Sequence, residues 1–159
     1  SSSTRRAWAI SRGRPSSIEP MFLLDTNVIS DLRRPDKAPA SLLAWSRSVS
    51  AHTLFISCIT LFELELGVRQ RERRDPVQGS VLREWLATRV VTEFEGRVLD
   101  IDGPIARRCA AMHVPNPAPE RDAWIAATAL VHGLTVVSRN VRDFAACGAP
   151  VLNPWEDPA

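Results

Sequence analysis

Cysteine is scarce in this chain and never paired in sequence. Cys58, Cys109 and Cys147 are odd in number, widely spaced, and without a CxxC or His-x₃-His companion, which argues against a disulfide framework and against a zinc site. His52, His113 and His132 are scattered in the same way. Structural roles suit all six, and a reducing cytoplasm is the expected compartment. No apolar run approaches a membrane span; residues 123–131, among the longest, already include Thr128. Residues 1–20 lack the apolar stretch of a secretory signal, which leaves an Arg- and Ser-rich organelle transit peptide as the targeting alternative. Lysine is nearly missing, Lys37 standing alone among 20 basic residues. No internal repeat or low-complexity tract follows Met21.

What is present suits one domain. The chain has 159 residues, 45% hydrophobic and 24% charged, enough for one core and not for two. Its formal charge of +2 is uneven: residues 1–20 hold Arg5, Arg6, Arg12 and Arg14 against Glu19 alone. That stretch reads as an N-terminal extension, disordered or appended, and 21–159 as the functional domain. A nucleic-acid binder of this modest charge must concentrate its arginines locally.

From Met21, short apolar runs alternate with longer helical patterns, which predicts an α/β fold around a parallel sheet. Strands are expected at 21–24, 54–57, 97–101 and 135–138, with a short last one at 151–152. Helices are expected at 26–32, 40–50, 61–72, 76–92, 104–113 and 120–132. Gly79 counts against the fourth of these helices, and Gly133 supplies a stop for the last.

Four acids occupy related positions in this pattern. Asp25 ends the first strand, Glu63 opens the helix after the second, Asp122 lies in the first turn of the helix at 120–132, and Asp143 lies just beyond the fourth strand. Groups at strand ends and helix starts of an open parallel sheet converge on one crevice. Each acid also has a plainer reading. Asp25 suits a helix N-cap, and Thr60-Leu61-Phe62-Glu63 has the form of a capping box. Asp122 suits the positive end of its helix, and Asp143 suits a turn. The neighbours shift the balance: Asp25, Glu63 and Asp122 adjoin apolar stretches, where an ionised group needs a partner. A divalent cation would serve, since Mg²⁺ is hard, prefers oxygen and is held by one or two carboxylates plus waters.

Four segments then carry a family resemblance: Phe22-Leu23-Leu24-Asp25-Thr26-Asn27-Val28-Ile29-Ser30, Thr60-Leu61-Phe62-Glu63-Leu64-Glu65-Leu66-Gly67, Asp122-Ala123-Trp124-Ile125-Ala126-Ala127-Thr128-Ala129, and Thr135-Val136-Val137-Ser138-Arg139-Asn140-Val141-Arg142-Asp143-Phe144. In this order they resemble the motifs of VapC-type PIN domains, and the ending Asn153-Pro154-Trp155 is similar to that of the FitB-like branch. The resemblance covers Met21 to Trp155. It implies a three-layer α/β/α fold with a central, mostly parallel sheet of four to five strands. It also implies a Mg²⁺-dependent endoribonuclease, with Mn²⁺ as a substitute ion, acting as the toxin of a type II toxin–antitoxin pair. Asp25, Glu63, Asp122 and Asp143 would be the catalytic acids, with Asp25, Asp122 and Glu63 on the metal and Thr26, Asn27 and Asn140 in support. Some relatives carry Asp where Asn140 stands, so the fourth acidic position is left between Asn140 and Asp143. Trp124 stands where smaller or aliphatic side chains are common. The implied partners are an RNA substrate (tRNA, rRNA or mRNA), a cognate antitoxin and a second copy of the chain.

Other readings of the same residues stay open. Asp102 reads first as a helix cap. The run Arg69-Gln70-Arg71-Glu72-Arg73-Arg74 suits either a phosphate grip or a solvated helix end. Trp45, Trp85 and Trp155 read more simply as core or interface than as stacking platforms for bases. The alternative function is an inactive PIN-fold module acting with an antitoxin in DNA-bound autoregulation; the retained acids argue against it. A phosphotransfer domain with Asp25 as nucleophile would want an acid where Asn27 stands, or a better placed lysine than Lys37.

Overall fold

A computed structural model describes residues 19–156. The reading of 1–20 as an extension therefore falls, except for its last two residues, outside the described part of the chain. Five short strands form one fully parallel sheet: β1 (Phe22–Leu24), β2 (Leu54–Ser57), β3 (Val98–Leu99), β4 (Thr135–Val137) and β5 (Val151–Leu152), in the order β3-β2-β1-β4-β5. Phe22 lies opposite Leu54 on one side and Thr135 on the other, so β1 is central. The chain builds outward from β1 to one edge, then returns to build β4 and β5 on its other side.

Alternating side chains divide the core between the two faces of the sheet, as the pleat requires. Phe22, Leu24, Ile56 and Val137 join one apolar cluster, and Leu23, Phe55 and Val136 join the other. Helices α1 (Thr26–Leu32), α2 (Ala40–Ser48), α3 (Cys58–Arg74) and α4 (Pro76–Trp85) contribute to the first cluster. On the second face lie α5 (Gly103–Met112), α6 (Glu120–His132) and α7 (Val141–Ala146). This is the expected three-layer arrangement, with the sheet buried on both faces. Ala126 and Ala129 let α6 sit close on the strands, Ala123 and Ala127 let it pack against α5, and all four are fully buried. Gly133 ends that helix at φ 69°, a left-handed conformation that suits glycine. Among the described residues, no helix is long and apolar enough to cross a membrane.

Several boundaries differ from the sequence reading. Helix α3 begins at Cys58, three residues early, because Ser57 rather than Thr60 caps it: Ile59 N donates to Ser57 Oγ at 3.0 Å. The capping-box reading of Thr60 and Glu63 is thereby corrected; both lie inside the helix. The expected helix at 76–92 is α4 followed by a π-helical turn, Leu86–Val90, and a final turn, Val91–Glu93. Gly79 belongs there for a packing reason: a Cβ at this position would stand 2.4 Å from the Glu72 Cα of α3. The helix at 40–50 stops at Ser48, and the third strand shrinks to two residues. A further helix, α7, occupies the stretch read as a turn around Asp143.

Candidate metal centre and nucleic-acid cleft

The site begins where β1 ends. Asp25 lies at the carboxyl edge of the central strand, its N–H bonded to the Val137 carbonyl of β4 at 2.9 Å. The strand order reverses between β1 and β4, and such a switch point opens a crevice in parallel sheets. Asp25 is only 4% exposed, yet both oxygens are engaged. Oδ1 accepts from Thr26 N at 2.8 Å, while Oδ2 accepts from Ser138 Oγ at 2.7 Å and from Asn27 Nδ2 at 3.3 Å. The N-cap reading of Asp25 therefore holds. It does not exhaust the residue, because a cap needs neither burial nor a partner from β4.

Thr26 reaches the other way, donating its hydroxyl to Glu63 Oε1 at 2.7 Å, and so ties α1 to α3. Ser138 is fully buried and central to the arrangement: its Oγ also receives Asn140 N at 2.9 Å and Asn27 Nδ2 at 3.3 Å. Asn27 Oδ1 is buried with no hydrogen-bond partner among the described residues, a free acceptor beside Asp25.

Asp25, Thr26, Asn27, Ser30, Asp31, Glu63, Asp122, Arg139 and Asn140 line one open cavity of about 360 Å³. The structure thus brings together three of the four expected acids and all three supporting residues. Asp143 is not part of the lining; it lies in the first turn of α7, where its charge acts on Asp122. Arg139 and Asn140, just before α7, are the residues of that segment that line the cavity. Asp102 is elsewhere, capping α5 through Ile105 N at 3.0 Å, as read from sequence.

Electrostatics set this cavity apart. Burial pushes the Asp25 carboxyl above its ordinary pKa, and the nearby Glu63 adds to the rise, while the bonds from Ser138 and Thr26 oppose it. Asp122 is pushed up to about 6, first by burial, then by the charges of Asp25, Asp143 and Glu63. Burial and mutual repulsion both oppose ionisation of Asp25 and Asp122. Arg121 approaches Glu63 at 3.6 Å, and Arg139 approaches Asp31 at 3.8 Å.

The donors suit a hard cation. They are carboxylate, amide and hydroxyl oxygens, with no thiol or imidazole among the described residues of the cavity wall. Among the described residues, no three acidic, imidazole or thiol groups close around a single point. A site made only of protein ligands is therefore not preformed. Mg²⁺ does not need one, since it commonly keeps several waters and takes one or two carboxylates.

Sequence reasoning missed Ser138, Asp31, Arg121 and Arg139. Ser138 was signalled by its place one residue past β4, the neighbour of β1; the arginines gave no sign, because their partners come from distant segments. Of the arginine run 69–74, Arg69 pairs with Glu65 at 2.6 Å, while Arg71, Arg73 and Arg74 are exposed. The run does not line the cavity, which favours the helix-end reading. Trp45 stacks edge-on to Phe22, and Trp85 and Trp155 pack on the same core cluster, as expected of core residues.

Comparison with known proteins agrees with this architecture. The model of the PIN domain matches residues 22–148. Toxin FitB of Neisseria gonorrhoeae is 38% identical over 143 residues, covering 86% of this chain and all of that protein. The VapC ribonuclease Y4jK of Sinorhizobium fredii is 35% identical over 146 residues, covering 86% of this chain and 99% of the relative. The crystal structure of FitAcB from Neisseria gonorrhoeae superposes with a TM-score of 0.78 at 36% identity, over 85% of this chain and 99% of that one. Sheet order, acidic crevice and these matches lead to one conclusion: the chain belongs to the PIN-domain family, in its VapC and FitB branch.

Proposed function

We propose that this protein is a Mg²⁺-dependent endoribonuclease, the toxin of a type II toxin–antitoxin pair. The observation that carries the reading is the set of Asp25, Glu63 and Asp122 on one cavity at the switch point of the sheet, with Asp25 and Asp122 both raised in pKa. Crowding of this kind destabilises a structure unless a cation relieves it, and perturbed carboxylates in a cleft are a mark of functional sites. Relatives named as a toxin and as a ribonuclease support the same assignment.

In this proposal Asp25 and Asp122 hold the ion and Glu63 completes the set, with Mn²⁺ able to replace Mg²⁺. When bound, the ion supplies Lewis-acid chemistry and neutralises charge on the phosphate. The chain's own groups do the positioning. Ser138 and the Thr26 N–H fix both oxygens of Asp25, Thr26 fixes Glu63, and the Asn27 and Asn140 amides border the space between. Asp143 contributes charge from behind Asp122 and is not placed on the ion.

The partner in the proposal is a small antitoxin that inhibits by sending a basic side chain into the acidic cavity, where it makes charge-assisted hydrogen bonds with the carboxylates. The functional unit is a homodimer. The test is hydrolysis of total cellular RNA by the purified protein, with and without EDTA. Cleavage that needs Mg²⁺ or Mn²⁺ and is lost in Asp25→Asn supports the reading; RNA left intact by a folded, metal-loaded protein defeats it.

A further inference from the structure

The acidic cavity poses a difficulty for an RNA-cutting enzyme. Among the described residues, four carboxylates, Asp25, Asp31, Glu63 and Asp122, line it against the one cation of Arg139. A polyanion approaching this opening is repelled unless positive groups stand at the rim. Two arginines meet that need in the same unusual way. Arg121 lies over the Phe62 ring, its Cζ 5.1 Å from the centroid, and beside Glu63 at 3.6 Å. Arg139 lies over the Trp155 ring at 5.0 Å and beside Asp31 at 3.8 Å. The second platform is itself fixed, since Trp155 Nε1 donates to Asp31 Oδ2 at 3.1 Å and Ser41 Oγ donates to the Trp155 carbonyl at 2.8 Å.

These contacts orient each guanidinium without using it up. At 3.6 and 3.8 Å the carboxylates are ion-pair neighbours and too distant for hydrogen bonds. The two arginine side chains are 51% and 57% exposed. Arg83 shows what a committed guanidinium looks like here: it makes four hydrogen bonds, to Glu65 at 2.7 and 2.8 Å and to Glu72 at 3.0 and 3.2 Å. Arg97 is likewise spent, on the backbone carbonyls of Ala51, Leu54 and Glu93. Exposed pairs of the Arg121 and Arg139 kind contribute little to stability, so structure alone gives weak reason for them. A planar fork with free N–H groups, held flat on a ring, is suited to phosphate.

We propose that Arg121 and Arg139 are substrate-positioning residues that bind backbone phosphates of a single RNA strand, flanking the phosphate seated over Asp25 and Asp122. The inference rests on the ribonuclease reading and adds the manner in which RNA is held. Phe62, 52% exposed beneath Arg121, offers its ring to an adjacent base as well.

The test is binding of a labelled, mixed-sequence single-stranded RNA by the full chain, followed by fluorescence anisotropy over a salt series with Ca²⁺ replacing Mg²⁺. The double variant R121Q/R139Q is expected to raise Kd about tenfold or more, the effect of losing charged hydrogen bonds. It should also flatten the slope of log K against log salt by roughly 1.4, from two phosphate contacts at about 0.7 each. Its melting curve should match the wild type, and in cleavage assays KM should rise by more than kcat falls. The R121K/R139K pair should keep the salt slope while recovering only part of the affinity. Unchanged Kd and slope in either folded double variant overturns the proposal. So does an equal loss in Arg71→Gln, which would reduce the effect to diffuse charge, and so does a wild type that binds no RNA. Arginine-dependent binding without any Mg²⁺-supported cleavage would instead defeat the ribonuclease reading and leave the phosphate contacts standing.

Discussion

Asp25 and Asp122 meet protonation differently, and the difference can be measured. Asp25 is raised chiefly by burial, against the pull of two strong hydrogen bonds. Asp122 reaches about 6 from an ordinary value of 3.8, with three neighbouring charges adding to burial. The native state therefore holds its proton more tightly than the unfolded chain does. Stability from this group is highest below pH about 4 and falls as pH rises through about 6. Glu65, lowered to about 2 by its arginine partners, works in the opposite sense but only below its ordinary pKa of 4.5. Between pH about 4.5 and 6.5 the metal-free protein should thus lose melting temperature, a trend that Asp122→Asn should flatten. Mg²⁺ should raise the melting temperature above pH 6 and do little at pH 5, since the ligands must be ionised to bind it. A melting temperature that rises steadily over that window in EDTA would contradict the assignment. Asp25→Asn and Asp122→Asn should each reduce RNA cleavage by at least ~10²-fold with the fold intact, as circular dichroism would show. Ser138→Ala, which leaves Asp25 Oδ2 only its longer bond from Asn27, should cost about 10–100-fold in metal affinity or activity, read by Mn²⁺ titration. Asp25, Glu63 and Asp122 were legible in the sequence from their places after a strand or in the early turns of a helix, whereas Asp31 was not. Ser138 and the two arginines were not, since their meaning lies in partners as many as 113 residues away.

Among the elements, the α3–α4 hairpin holds Glu63 at the cleft with its first turns and is braced at its far end. Arg83 of α4 grips Glu65 and Glu72 of α3, and the backbones meet where Gly79 faces Glu72. Gly79→Ala should therefore destabilise the protein by about 1–3 kcal/mol, the usual cost of overpacking, seen as a lowered midpoint in urea. Stabilisation by this substitution, as helix propensity alone would predict, would show that the crossing is looser than described. The sequence reading took Gly79 as a weakness in its helix because propensity is local, whereas the reason for the glycine is a neighbouring backbone. Thr60 and Glu63 misled for a related reason: the capping pattern was genuine in form, but Ser57 stood closer to the strand end and took the role. Helices at 26–32 and 120–132 were read to the residue, each being framed by clear signals, Asp25 before one and Gly133 after the other.

At the scale of the whole molecule, the cleft shapes what can silence it. A basic side chain from an antitoxin would relieve the same repulsion that a metal relieves, so the two should compete. Co-purified antitoxin is expected to raise the melting temperature in EDTA and to remove most of the response to Mg²⁺, measurable by differential scanning fluorimetry. An additive response would mean that the antitoxin binds outside the cavity. Sedimentation of the free protein should give twice the chain mass.

The central place of β1 has a consequence for how such an enzyme is made. Asp25 is made before the strand and the serine that lock it, β4 and Ser138, which come more than a hundred residues later. In the proposed reading, the acidic centre cannot assemble on a nascent chain that stops short of β4 and Ser138. If the protein cuts RNA as proposed, it is expected to be inert until residues through Ser138 have emerged. Stalled nascent chains with residues up to 133 exposed should leave RNA uncut, and those with residues up to 156 exposed should cut it.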